Sequence, residues 1–136
     1  METIVEKAKS LINEINTDYK ISSFQQNHSF EKRASEARRI IDKYPDRIPV
    51  IVEKDPRCKD IPDIDRKKYL VPDDLSMANF MYVIRKRIHL SEEKALYLFI
   101  NNSIVPVSKD LGTIYEEKKE KDGFLYIKYD SESTFG

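Results

Sequence analysis

The chain has 136 residues, with 24 Lys or Arg against 24 Asp or Glu, so its formal net charge at pH 7 is zero. This length suits one domain with one substantial core, and the neutral balance argues against general nucleic-acid binding, which needs an excess of cations. The single cysteine excludes an internal disulfide. No apolar run approaches the ~20 residues of a membrane-spanning helix. The start lacks the apolar stretch of a secretory signal, so we expect a cytoplasmic protein.

Residues 1–29 are expected to form an extension before the domain. Apolar residues recur on one face over 2–16, which predicts an amphipathic helix, and the polar stretch 17–29 is predicted to be a loop. A second helix is predicted over 30–43. It ends before Pro45, because a residue that precedes proline avoids the α region.

The middle of the chain predicts two strands and a helix. RIPVIVEK over 47–54 is rich in β-branched residues and reads as a strand. Pro49 inside it cannot donate to a ladder, so we expect it at a sheet edge or at the start of pairing. A short strand is predicted over 67–71, after a proline-containing loop, and Ser76 is a typical N-cap for a helix over 76–89.

The remaining elements are short. They are a buried strand over 95–101, a turn at 101–102, a brief return at 104–105, a helix opening at 108, a strand over 123–130 and a polar tail over 131–136. Two strands, a crossover helix and two more strands are the order of a ubiquitin-like β-grasp. We therefore predict an α+β domain over 30–130, with a four-stranded mixed sheet and additional N-terminal helices.

Several long sequence blocks occur in one order along this domain. They are FEKR at 30–33, YPDRIPVIVEK at 44–54, KKYLVPDDL at 67–75, IRKRIHL at 84–90, and GFLYIKY followed by a terminal glycine. Through these blocks the chain resembles the autophagy-related protein 8 family, the GABARAP and light-chain-three group of ubiquitin-like modifiers. Ordered long blocks are more specific than any short motif. The first 29 residues depart from the family, whose members carry a shorter N-terminal helix before FEKR.

The last residue, Gly136, suits a conjugation site. A glycine carboxylate has no neighbouring Cβ, so it can thread a narrow channel, be adenylated and pass to a cysteine thioester. The resemblance implies that Gly136 is joined to phosphatidylethanolamine on autophagosomal or other organelle membranes. The chain would then be a substrate of activating and conjugating enzymes and of a processing or deconjugating cysteine protease, and not itself an enzyme. The alternative is an unconjugated trafficking or cytoskeletal adaptor.

The strand at 67–71 is expected at a sheet edge, where an extended peptide can be added. The resemblance implies a groove for receptors with acidic aromatic-x-x-aliphatic motifs. Its aromatic pocket would use Glu36, Ile40, Pro49, Ile51, Lys68, Leu70 and Phe124. Its aliphatic pocket would use Tyr69, Val71, Pro72, Leu75, Phe80 and Val83. The acidic flank would meet Arg47, Arg66, Lys68 and Arg87. Plain core packing is the alternative for each apolar member taken singly.

Other candidate sites carry weaker signals. Cys58 lies far along the chain from both histidines, so a nucleophilic hydrolase is not expected, and neither is a metal site or cofactor. Phe24 has Asn27 three positions later, where a ligand mimic needs an aliphatic residue. Occlusion of the groove by such a mimic is therefore not expected.

Overall fold

A computed structural model of the chain describes residues 22–131. The helices are α1 (Ser23–Asn27), α2 (Phe30–Lys43), α3 (Met77–Arg87) and α4 (Leu111–Lys118). The strands are β1 (Arg47–Lys54), β2 (Lys68–Pro72), β3 (Tyr97–Ile100), β4 (Ser103–Ile104) and β5 (Leu125–Asp130). The helix predicted over 2–16 and the end of the tail, with Gly136, lie outside the described residues.

The strands form one mixed sheet in the order β2-β1-β5-β3-β4. β1 and β5 are parallel, and the other neighbouring pairs are antiparallel. The α+β, ubiquitin-like class is confirmed, but the sheet has five strands instead of the predicted four. The fifth arises because Asn101 and Asn102 adopt positive φ angles of 51° and 66°, which a tight two-residue hairpin turn requires. This turn folds Ser103–Ile104 back onto β3.

Pro49 is accommodated inside β1 by where pairing begins. The N–H of Val52 donates to the carbonyl oxygen of Lys67 at 2.8 Å, on the side of β2. Backbone groups alternate sides along a strand, so the position of the missing Pro49 N–H faces β5. Pairing between β1 and β5 starts one residue later, at Val50. Pro49 therefore costs the ladder no hydrogen bond. This agrees with the expectation that the proline lies where strand pairing starts.

Helices cover both faces of the sheet, and β1 is buried on both. Val50 and Val52 point into the main core, which α3 and α4 cover with residues such as Phe80 and Leu111. Ile51 points to the other face, which α2 and α1 cover. No helix among residues 22–131 is long and apolar enough to cross a membrane.

Three predicted elements are corrected. The helix predicted to open at 108 begins at Leu111, because the preceding residue Asp110 is extended, with φ −73° and ψ 146°. Residues 23–27, predicted as loop, form α1, because the Ser22 hydroxyl oxygen accepts the N–H of Phe24 at 3.1 Å and the Phe24 ring is buried. The helix predicted over 76–89 ends at Arg87, because His89 adopts a φ of 54°, in the left-handed region. The Ser76 cap is confirmed, since its hydroxyl oxygen accepts the N–H of Asn79 at 3.1 Å.

Candidate peptide-binding groove

The candidate groove is built on β2, the terminal strand of the sheet, with β1 as its neighbour. Alternate side chains of a strand point to opposite faces of its sheet. On one face Val71 joins the main core and Tyr69 packs against it. On the other face Lys68 forms an ion pair with Glu36 of α2. One edge strand therefore presents two differently lined faces, one beneath α3 and one beneath α2.

The predicted aromatic pocket lies between α2, β1 and β2. Its outer wall is accessible, because Leu70 is 36% exposed and Ile40 is half-buried. Its inner residues are closed off: Ile51 is 1% exposed and Phe124 is fully buried, and Pro49 is buried too. The accessible apolar surface of this pocket is thus Ile40 and Leu70, above a covered floor.

Phe24 covers that floor. Its ring packs edge-on against Phe124, with the ring centroids 5.4 Å apart, and belongs to the same small cluster as Ile51 and Ala37. The ammonium group of Lys68 lies 5.7 Å from the centroid of the Phe24 ring. Phe24 has no aliphatic partner three residues later, so it packs as a core side chain and not as a ligand mimic. Its ring nevertheless packs against two residues of the predicted pocket, Ile51 and Phe124.

Asp122 fixes the backbone that carries Phe124. Its carboxylate accepts the N–H of Phe124 at 2.9 Å, the hydroxyl of Tyr126 at 2.5 Å and the guanidinium of Arg33 at 2.6 Å. Burial, and then the bond to this carboxylate, raise the pKa of Tyr126. Gly123, which lies between Asp122 and Phe124 in the sequence, has a φ of 92°. This backbone conformation disfavours any residue with a side chain at that position. Arg33 of α2 and Asp122, in the turn before β5, are therefore joined by a largely buried ion pair.

A second polar cluster holds α1 on the sheet. The hydroxyls of Ser22 and Ser23 donate to the two carboxylate oxygens of Glu53, which is buried in β1. Lys67 donates to the Ser23 hydroxyl at 2.9 Å and to the same carboxylate at 3.3 Å. Burial alone would raise the pKa of Glu53, but the two serine bonds and the charge of Lys67 outweigh it and lower that pKa. The carboxylate is thus held ionised, and α1 is anchored beside the groove.

The predicted aliphatic pocket lies between β2 and α3. Phe80 and Val71 are buried members of the main core, so the packing alternative holds for both. Val83 is 41% exposed, Leu75 is half-buried and Pro72 is exposed. Val83 and Leu75 supply the accessible apolar surface on this face, whereas Pro72 falls on the same face of β2 as Lys68 and Leu70.

The predicted cations differ in their partners. Lys68 is paired with Glu36 at the mouth of the aromatic pocket, and the Nε of Arg87 lies 3.1 Å from a carboxylate oxygen of Asp65. Arg47 is exposed and donates to the carbonyl oxygen of Leu70 at 3.5 Å, at the edge of the groove. Arg66 is exposed. Lys68 and Arg87 are therefore each paired with a carboxylate, whereas Arg47 is bound to a backbone carbonyl oxygen.

Two further candidates lie away from the groove. Gly136 falls outside the described residues. Cys58 is buried, with its sulfur 3.2 Å from a carboxylate oxygen of Asp60 and 3.4 Å from the Ser131 hydroxyl. Within residues 22–131 no group of three or more His, Cys, Asp or Glu side chains could hold a metal ion.

Comparison with known proteins agrees with this architecture. The family model described as "Autophagy protein Atg8 ubiquitin like" matches residues 32–136. Autophagy-related protein 8d of Arabidopsis thaliana is 58% identical over 116 residues, which cover 85% of this chain and 96% of that protein. Autophagy-related protein 8 of Mycosarcoma maydis is 56% identical over 115 residues, covering 85% and 97% respectively.

A solved structure gives the same result for the fold. The crystal structure of Trypanosoma brucei ATG8 superimposes with a TM-score of 0.79 at 43% sequence identity, and the match covers 85% of this chain and 98% of that one. The family match, the sequence identities and the shared sheet together show that the chain belongs to the autophagy-related protein 8 family of ubiquitin-like autophagy proteins.

Proposed function

We propose that the chain is a ubiquitin-like modifier that is joined through Gly136 to phosphatidylethanolamine and recruits receptors with aromatic-x-x-aliphatic motifs. The observation that supports the receptor function best is the edge strand β2, which has a different apolar surface on each of its two faces. The protein would be cytoplasmic before conjugation and would lie on autophagosomal or related membranes afterwards.

The spacing of the motif fits this geometry. In an extended peptide added to β2, side chains alternate between the two faces of the sheet. Two anchors that are three positions apart therefore point to opposite faces. The aromatic anchor would pack against Ile40 and Leu70 on the side of α2, and the aliphatic anchor against Leu75 and Val83 on the side of α3. Backbone hydrogen bonds to β2 would add affinity that does not depend on sequence.

Acidic neighbours of the motif would act on the charged rim. The ion pair between Lys68 and Glu36 stands at the mouth of the aromatic pocket, and both side chains are partly exposed. A ligand carboxylate can replace Glu36 as the partner of Lys68, and Arg47 offers a second cation nearby. Exposed pairs of this kind contribute little to affinity but steer association, so binding is expected to weaken as salt increases.

Conjugation would follow the chemistry of terminal glycines. The Gly136 carboxylate attacks ATP to form an acyl-adenylate, with release of pyrophosphate. A cysteine thiol of the activating enzyme then displaces AMP, and the acyl group passes to a conjugating enzyme. The amine of phosphatidylethanolamine finally attacks the thioester, which forms an amide and releases the thiol. A cysteine protease would process a precursor or hydrolyse the amide.

Intact mass spectrometry tests the conjugation. The full chain is incubated with phosphatidylethanolamine liposomes, ATP and a cell extract that is competent on a known modifier. A lipid-sized mass gain is expected for the wild type and none for Gly136→Ala. The absence of a gain in the wild type would refute conjugation and favour the unconjugated adaptor.

Peptide titration tests the groove separately. A fluorescent peptide with an acidic aromatic-x-x-aliphatic motif is titrated against the wild type, Leu70→Ala and the control Ile104→Ala. Ile104 is a more exposed aliphatic side chain, on β4 at the opposite end of the sheet. Only Leu70→Ala is expected to weaken binding, by roughly tenfold if the anchor loses 1–2 kcal/mol of burial. Equal affinities for the two variants would contradict the assignment of the groove.

A further inference from the structure

The C-terminal tail starts at a buried residue. Ser131 follows β5 directly and is only 2% exposed, and Cys58, from the loop that follows β1, is 1% exposed beside it. This loop, residues 55–62, is hydrogen-bonded to β5 at both of its ends. The N–H of Asp55 donates to the carbonyl oxygen of Tyr129 at 2.9 Å, and the Tyr129 hydroxyl donates to the carbonyl oxygen of Pro62 at 2.7 Å.

One carboxylate connects the loop to the tail. The hydroxyl of Ser131 donates to Asp60 Oδ1 at 2.5 Å, and the Cys58 thiol lies 3.2 Å from the same oxygen. The N–H of Ser131 donates to the Asp130 side chain at 2.7 Å. Lys94 donates to the carbonyl oxygen of Asp60 at 3.0 Å, which supports the loop from its outer side. The first tail residue is therefore held by both its backbone and its side chain.

We propose that loop 55–62 is a clamp that fixes where, and in which direction, the tail leaves the domain, so that Gly136 is delivered to the activating enzyme from a fixed origin. Asp60 and Ser131 act in this clamp as positioning residues. The inference rests on the proposed conjugation through Gly136, and it adds residues outside the tail to that reaction.

The clamp matters because Gly136 lies only five positions beyond Ser131. Five residues beyond Ser131 span at most about 17 Å when fully extended. An enzyme that docks on the domain can take up Gly136 only if the tail starts at the right place and points towards the active-site channel. Fixing one residue in advance removes a conformational-entropy cost that otherwise falls on the binding step. Loss of the clamp is thus expected to raise KM and to leave kcat unchanged.

Steady-state kinetics of the activation step test this proposal. The rate of ATP-dependent thioester formation with the purified activating enzyme is measured against the concentration of the full chain. Asp60→Ala and Ser131→Ala are each expected to raise KM about fivefold or more. Asp60→Asn keeps an acceptor oxygen for the Ser131 hydroxyl and is expected to restore a KM near that of the wild type. Asp63→Ala is the matched control, since this carboxylate directly after the loop is 84% exposed and pairs with Lys54 instead of the tail.

A double variant isolates the bond itself. If Asp60 and Ser131 act through one contact, the double alanine variant raises KM no more than either single variant does. Peptide affinity at the groove, measured alongside, is expected to stay unchanged, which separates loss of the clamp from loss of the fold. An unchanged KM in both single variants, while the wild type is still activated, would overturn the clamp and leave the proposed function standing. A wild-type chain that is never activated would overturn the proposed function itself.

Discussion

Replacing Asp122 is expected to cause a large loss of stability. Its side chain is 1% exposed and accepts hydrogen bonds from Arg33, Tyr126 and the N–H of Phe124. Asp122→Ala leaves the guanidinium of Arg33, itself only 12% exposed, without this partner. Removing one member of a buried ion pair costs about 3–5 kcal/mol, because the remaining charge stays desolvated. We expect a loss of that size in the free energy of unfolding.

The assay is urea unfolding followed by circular dichroism, together with thermal unfolding. A loss of this size corresponds to a fall in Tm of roughly 10–20 °C for a domain of this length. Glu117→Ala is the control, because its ion pair with Lys109 is solvent-exposed on both sides and is expected to contribute less than about 1 kcal/mol.

A double variant tests the physical reason. Arg33→Met combined with Asp122→Ala leaves no buried charge unpaired, so it is expected to regain part of the stability that Asp122→Ala loses. Equal losses for Asp122→Ala and Glu117→Ala would refute the reasoning. They would mean that the guanidinium of Arg33 regains hydration once Asp122 is removed and is not left as a desolvated, unpaired charge.

Three further predictions concern the same side of the sheet. Gly123→Ala is expected to destabilise the fold by about 1 kcal/mol or more in urea unfolding, because φ is 92° and the new Cβ would lie 3.0 Å from that of Ala37. Glu53→Gln is expected to destabilise the protein at pH 7. Since the pKa of Glu53 is lowered on folding, the difference from the wild type is expected to shrink below the unfolded pKa of about 4.3, as unfolding at pH 7 and pH 3 would show. Phe124→Ala is expected to cost about 3–5 kcal/mol of stability and Leu70→Ala less than about 1.5, so thermal unfolding would identify Leu70→Ala as the cleaner groove variant.

Residues with strong local patterns were predictable from the sequence. The apolar periodicity of α2 and α3, the β-branched run of β1 and the Ser76 cap each express their structure within a few neighbouring residues. α1 could not be found this way, because its sequence is polar and its support comes from residues far along the chain. Phe24 needs Phe124, and the serines beside it need Glu53. The turn at 101–102 and a brief return at 104–105 follow from the sequence, but the return is too short to be predicted as a fifth strand, and the structure forms one over Ser103–Ile104.

The membership of the groove stays a prediction, but the exposure of its residues can be read only from the structure. The resemblance to a family assigns positions such as Ile51 and Phe124 to a pocket. Whether those side chains are open to a ligand depends on what packs over them, and here Phe24 does. Similarly, the pairing of Lys68 with Glu36 joins residues from different elements, and no local pattern encodes it.

The parallel pairing of β1 with β5 also sets the order of events during synthesis. Val50 pairs with Leu125, about 75 positions later along the chain. Until β5 has been made, the apolar strand β1 of the growing polypeptide lacks one of its two neighbours. Exposed strands of this kind are prone to aggregation and are bound by chaperones. Phe124 immediately precedes β5 and completes the floor of the aromatic pocket. If the groove binds receptors as proposed, a nascent or truncated polypeptide that lacks β5 is therefore not expected to compete for them.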